Sequence, residues 1–78
     1  MNNQIPVIGS VWRHQKRGTE YRVVDVTICC TNGLHEGEPT VIYEQLSEGE
    51  LGSKYQKGVR MDRIVSEFMD GRFELVLN

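Results

Sequence analysis

Runs of β-branched and aromatic residues dominate the chain and predict a mainly β domain. The strongest run, Glu20–Cys30, is rich in valine, isoleucine, threonine and tyrosine, which suit a half-buried pleated surface. Asn32-Gly33 and Gly37 then give a turn signal before a second run, Thr40–Leu46. Together the two runs predict a long antiparallel hairpin over residues 20–46.

One alternating set of residues within the first run is assigned to the core. Successive side chains on a strand point to opposite faces, so alternate positions share a face. The core set comprises Val24, Val26, Ile28 and Cys30. The other set, which includes Asp25 between Val23 and Thr27, is only half apolar and is assigned to the outer face.

Shorter patterns predict three further strands. Val11–Arg13 reads as a strand end, followed by a charged loop that closes at Gly18, a turn residue suited to positive φ. A short strand is expected through Val59 and Arg60, and the alternation in Phe73–Leu77 predicts a final strand.

One helical pattern interrupts the strands near residues 61–69. Met61, Ile64, Val65 and Phe68 recur at the spacing of one helix face. Asp62 stands near the start of this segment, where a carboxylate favours a helix N-terminus. The chain is therefore expected to contain about five short strands and one short helix.

These elements fit a single domain over residues 1–78, with residues 1–8 as a flexible lead-in and residues 47–58 as a polar connector. Closure of short strands into a small antiparallel barrel removes exposed edges and encloses one core. The alternative architecture is an open sheet backed by the single helix.

Charge is unevenly distributed along a chain whose net charge is −2. Residues 13–22 and residues 54–63 each carry a balance of +3, whereas residues 36–50 carry −5. If the two basic segments fold side by side, the molecule has a positive face, and otherwise its surface is mixed and solvated. The negative total argues against a general nucleic-acid binder, although interleaved aromatic residues leave single-stranded nucleic acid open.

The two cysteines, Cys29 and Cys30, are adjacent in sequence. Neighbours on a strand diverge, so a disulfide between them is not expected, and Cys30 is assigned to the core as a small apolar residue. With His35 they lack the paired spacing of a zinc site, and the sequence predicts no metal and no cofactor. No apolar run is long enough for a bilayer, and the expected location is the cytoplasm of a bacterium or of one infected by a phage.

The first basic segment carries a family resemblance. From Trp12 to Val23 the chain has an aromatic residue followed by Arg-His, then a Lys-Arg-Gly turn, and then the strand sequence Tyr-Arg-Val. This resembles the small bacterial and phage family catalogued as domain of unknown function 1653, although Arg17 stands between the family's Lys and Gly. The likeness continues in order over roughly residues 9–74, at Val41-Ile42-Tyr43, Val59-Arg60, Phe68 and Gly71-Arg72-Phe73. The resemblance implies an SH3-like barrel in a stand-alone cytoplasmic protein, and it implies no established activity.

Six residues are candidates for ligand binding: Trp12, Arg13, His14, Tyr21, Tyr43 and Arg60. Arginine forks bind phosphate or carboxylate, and tyrosine offers a stacking face with a polar tip, so the set suits an anionic or planar ligand on one solvent-facing wall. The alternative is structural: Tyr21 and Tyr43 pack across strands, Trp12 packs in the core, and His14 orders its loop.

The sequence therefore predicts a small binding module rather than an enzyme. The expected partner is an unidentified protein or a small anionic or nucleotide-like ligand, with nucleic acid less favoured and no membrane. The alternative is a self-associating accessory protein, in which edge strands and aromatic surfaces form homo-oligomer contacts. A small enzyme with His14 as acid or base is a further alternative that requires a second titratable group beside that ring.

Overall fold

The computed structural model describes residues 5–48 and 54–78, and within them the chain forms five strands and one helical turn. The predicted mainly β architecture with one short helix is confirmed. The predicted lead-in and connector lie partly outside the described residues. The elements in chain order are β1 Val11–His14, β2 Glu20–Ile28, β3 Pro39–Gln45, β4 Arg60–Ile64, α1 Val65–Phe68 and β5 Phe73–Leu77.

All five strands belong to one antiparallel sheet with the order β4-β3-β2-β1-β5. The predicted hairpin over residues 20–46 is confirmed as β2 and β3. The last strand returns to pair with the first, which places residues 11–14 beside residues 73–77. No ladder joins β4 to β5 in the part of the chain that the structure describes, so the sheet is open rather than closed into a barrel.

A bulge in β2 changes which side chains face the core. Val23 lies opposite Tyr43, but Val26, three residues further on, lies opposite Val41, only two residues earlier on β3. The extra residue reverses the alternation, because a slip of one position turns every later side chain to the other face. Tyr21 and Val23, which precede the bulge, are buried, although the sequence pattern placed them outside, and Val26, which follows it, lies opposite the buried Val41 on the same face. The predicted core set was wrong: Val24 and Val26 are only half-buried, and Ile28 and Cys30 are exposed.

The core is an aromatic cluster closed by α1. The rings of Phe68 and Phe73 stack with centroids 4.3 Å apart, and Trp12 meets Phe68 edge-on at 5.4 Å. Tyr43 contacts both phenylalanine rings, at 5.2 and 5.8 Å. Aromatic pairs of this kind contribute roughly 0.5–1.5 kcal/mol beyond the area that they bury. The open sheet is thus backed by one turn of helix whose Val65 and Phe68 complete the core.

The predicted helix near residues 61–69 is present but covers only Val65–Phe68. Met61 and Arg63 instead lie on β4, opposite Tyr43 and Val41 on β3. The strand ladder satisfies the backbone of this half of the segment, and such tertiary pairing overrides a short local periodicity. Asp62 is therefore on a strand, and α1 has no side-chain cap. In residues 5–48 and 54–78, no helix combines the length and the apolar character that a membrane span requires.

Candidate functional site

Three of the six candidate residues belong to the core. Trp12, Tyr21 and Tyr43 are buried, and the two tyrosine rings meet edge-on at 5.2 Å. Their polar atoms also find partners inside the protein. The Trp12 Nε1–H donates to Ser10 Oγ at 2.9 Å, and the Tyr43 hydroxyl accepts a hydrogen bond from Arg63 Nε at 3.1 Å. These side chains pack as the structural interpretation of the sequence described, and little of their surface is exposed to solvent.

Two more candidates, both arginines, lie on the outer face of the sheet and are paired with carboxylates. Arg13 contacts Glu20 at 3.0 Å on β2 and Glu74 at 3.2 Å on β5. Arg60 contacts Glu44 at 3.4 Å on the neighbouring strand. Exposed pairs of this kind contribute only about 0–1 kcal/mol each. The six residues are therefore not brought together on one wall, because core and outer face separate them.

His14 is the candidate residue that lines an open cleft. The cleft has a volume of about 460 Å³ and lies where the end of β1 meets the segment that leads into β5. Its lining residues are His14, Gln15, Lys16, Asp70 and Arg72.

Backbone and side-chain hydrogen bonds fix this meeting point. The Gln15 backbone N–H donates to the carbonyl of Arg72 at 3.0 Å, and Gln15 Nε2 donates to the carbonyl of Gly71 at 2.8 Å. On the other side, the Gly18 N–H donates to the His14 carbonyl at 2.7 Å. The turn requires glycine, since Gly18 has φ +80°, as the sequence predicted. Both walls of the cleft are thus held by the backbone.

The His14 ring is oriented by two contacts. Its edge meets Phe73 at 5.2 Å, and its Nδ1 accepts a hydrogen bond from the Arg17 backbone N–H at 3.2 Å. In a neutral imidazole the nitrogen that accepts carries no proton, so the ring proton is on Nε2. The Nε2 atom makes no hydrogen bond within the described residues, where every fully buried side-chain nitrogen has a partner. Nε2 therefore keeps contact with solvent, although only 8% of His14 is exposed.

Positive charge surrounds this ring. Burial lowers the pKa of His14 below its ordinary value of 6.5, and nearby cations lower it further. In decreasing order of effect these are Arg17, Arg63, Arg72 and Lys16. The imidazole is consequently mainly neutral at pH 7, and its Nε2–H is available as a hydrogen-bond donor.

Acidic groups balance only part of this charge. Arg63 contacts Glu67 at 3.1 Å, and Arg72 contacts Asp70 at 3.0 Å. Hydrogen bonds from Arg72 hold the pKa of the Asp70 carboxyl below its ordinary value. Lys16 and Arg17, by contrast, make no ion pair within residues 5–48 and 54–78. The site has an excess of cations beside a largely buried ring whose Nε2–H is in contact with solvent.

Sequence reasoning singled out His14 but placed it with the wrong neighbours. Lys16 and Arg17 were recognised as a basic segment, and Arg63 belongs to the second basic segment that was considered as its neighbour, whereas Arg72 was not connected to either. The Gly71-Arg72-Phe73 motif was a usable signal. Arg72 lies between a turn glycine and the last strand, so its position is set by the strand with which β5 pairs, which is β1.

The cysteines and the remaining histidine stand apart from this cleft. Cys29 is half-buried and Cys30 is exposed, so the assignment of Cys30 to the core was wrong. His35 Nδ1 lies 3.2 Å from a Glu38 carboxylate oxygen. Within the described ranges, no three or more His, Cys, Asp or Glu side chains are grouped as a metal site would require.

No protein-family model, curated protein or solved structure matches this chain. The resemblance to the domain of unknown function 1653 family, and the SH3-like fold that it implies, remain predictions.

Proposed function

We propose that the chain is a small binding module that holds an oxyanion, phosphate or carboxylate, of a ligand or of a protein partner in the cleft beside His14. The observation that carries the proposal is the charge excess: Lys16 and Arg17 have no ion pair in the described residues, next to a ring whose Nε2 remains in contact with solvent. Charge-assisted hydrogen bonds are the strongest that a shallow site can offer to an oxyanion.

The rigidity of the cleft supports the same function. A preorganised site loses less side-chain and loop entropy when its ligand binds. Here the Gly18 turn fixes one wall, and the hydrogen bonds of Gln15 fix the other. Arg72 is already held in place by Asp70, so its guanidinium does not have to be ordered by the ligand, although Asp70 balances its charge.

The neutral state of His14 favours recognition by hydrogen bonding. A donor N–H beside cations binds an oxyanion over the whole range above the pKa of the ring, and protonation at lower pH adds charge and strengthens binding. The ligand is thus of the anionic class that the sequence predicted. Its site is the cleft beside His14 and not a wall that contains Tyr21, Tyr43 and Arg60.

The test is a titration of the ¹⁵N-labelled protein with inorganic phosphate and, separately, with acetate, followed by NMR at constant ionic strength. We expect saturable shifts of the Lys16 and Arg17 amides and of the His14 ring. Lys16→Ala is expected to weaken binding about five- to tenfold, the loss of one exposed charged contact of roughly 1–1.4 kcal/mol.

The matched control is Lys57→Ala, which removes the same side chain and charge from an exposed position that does not line the cleft. It should leave the affinity unchanged. Equal weakening by both variants, or shifts that do not saturate near His14 with either anion, would refute a site at this cleft. The two titrations show whether phosphate or carboxylate is preferred.

A further inference from the structure

The two edges of the sheet have opposite chemistry. The β4 edge carries the charged residues Arg60, Asp62 and Arg63, and charge on an edge strand is a common protection against further pairing. The β5 edge carries three exposed apolar residues in a row, Leu75, Val76 and Leu77. Among the described residues no further strand pairs with this edge, and its last three residues carry no charge to keep another strand away.

The apolar surface continues beyond the strand. Ile5, Val7 and Ile8 are also more than half exposed. A second cleft, of about 340 Å³, lies between this segment and the sheet and is lined in part by Ile5, Val7 and Leu75. A contiguous exposed apolar patch next to a free strand edge is typical of a protein interaction surface.

The charge on β5 limits what can occupy the edge. Glu74 is the one charged residue of this strand, and Arg13 already neutralises it at 3.2 Å. A partner strand with an unpaired charge would lose hydration against Leu75–Leu77 without gaining an ion pair. The complementary partner is an uncharged apolar strand.

We propose that a second copy of this chain occupies the edge, with its β5 antiparallel to the first and a twofold axis between them. When the axis passes through Leu75, Glu74 lies opposite Val76 of the other copy, so that the two Glu74 side chains are diagonal rather than directly opposite and each keeps its own Arg13 partner. The alternative contact between copies, β5 against β4, would place Arg60, Asp62 and Arg63 on the apolar edge and would propagate without closing. Only the β5–β5 contact matches apolar residues on both sides and closes as a dimer.

The test is sedimentation velocity on the purified chain from about 5 μM to 1 mM. We expect a monomer–dimer equilibrium, and Leu77→Lys should weaken the dimer at least tenfold because each interface would bury two like charges, one from each copy. Leu77 is 62% exposed, so this substitution leaves the core intact.

The control is Ile28→Lys, which places the same charge at an apolar position of similar exposure, 58%, at the far end of β2. It should leave the dimer unchanged. A monomer throughout the concentration range refutes the proposal and leaves the edge to a different partner. A dimer that is insensitive to Leu77→Lys, or equally sensitive to both variants, refutes the β5 interface. The Lys16→Ala variant should dimerise normally, since this surface does not include the cleft at His14.

Discussion

The hydroxyl groups of Thr19 and Tyr21 form a pair that is sealed from solvent. The oxygen atoms lie 2.8 Å apart, and the two residues are 0% and 1% exposed. Within the described residues, Thr19 Oγ1 makes no other hydrogen bond. Tyr21→Phe therefore leaves a buried hydroxyl without a partner, which costs about 1–3 kcal/mol of folding free energy, and Thr19→Val leaves the tyrosine hydroxyl in the same state. The double variant replaces both groups with apolar ones of similar shape and should cost much less than the sum.

Urea denaturation measures this prediction directly. A domain of 78 residues is expected to have about 4–12 kcal/mol of stability, so each single variant should still fold. With a slope of about 1 kcal/mol per molar urea, the midpoint should fall by roughly 1–3 M for each single variant. The double-mutant cycle should give a coupling of at least about 1 kcal/mol between the two sites. Additive losses, or single losses below about 0.5 kcal/mol, would show that the pair is not the closed hydrogen bond described, and that Tyr21 keeps a hydroxyl free for another role.

Two further predictions concern His14. Its pKa is lowered in the folded state, so the unfolded chain binds a proton first as pH falls below about 6.5. The contribution of His14 to folding stability should be fully present above that pH and decrease progressively below it. The His14→Gln variant should lack this pH-dependent contribution in urea denaturation at pH 5–7. Identical pH dependence in both proteins would contradict a lowered pKa for His14. Bound phosphate should raise the pKa of His14, because an anion in the cleft favours the imidazolium, and NMR titration of the ring with and without phosphate measures it; an unchanged pKa at saturating phosphate would place the anion elsewhere.

Local sequence patterns predicted β1, β2, β3 and β5 well because clear turn signals separate these strands from their neighbours. The Asn32-Gly33 turn defined the β2–β3 hairpin, and Gly18 closed the β1–β2 turn at positive φ, as expected. Trp12 and the tyrosines were recognised as either core or ligand-binding residues, and burial resolves this in favour of packing. In the sequence, an aromatic residue on a strand gives the same pattern whether it packs in the core or binds a ligand. The two roles can be distinguished only when the face of the sheet that packs against the core is known.

What the sequence could not predict depends on contacts between distant segments. The bulge after Val23 is a property of the β2–β3 register, and no residue type in that segment predicts it. The helical spacing of Met61, Ile64 and Val65 was real but was overridden by the ladder with β3. The cleft requires β5 to pair with β1, and only that pairing brings Arg72 beside His14.

Long-range topology also explains how a chain of net charge −2 could present the proposed anion site. β2 spans nine residues, so its two ends are separated by roughly 25–30 Å at about 3.3 Å per residue. The cleft adjoins the Glu20 end through the His14–Thr19 hydrogen bond, whereas the acidic tip with Glu36 and Glu38 follows the Ile28 end. At physiological ionic strength the Debye length is about 8 Å, so the carboxylates of the tip are screened over about three such lengths. The electrostatic potential at the cleft is therefore set mainly by the local cations around His14 rather than by the net charge, which is consistent with the anionic ligand that the sequence predicted.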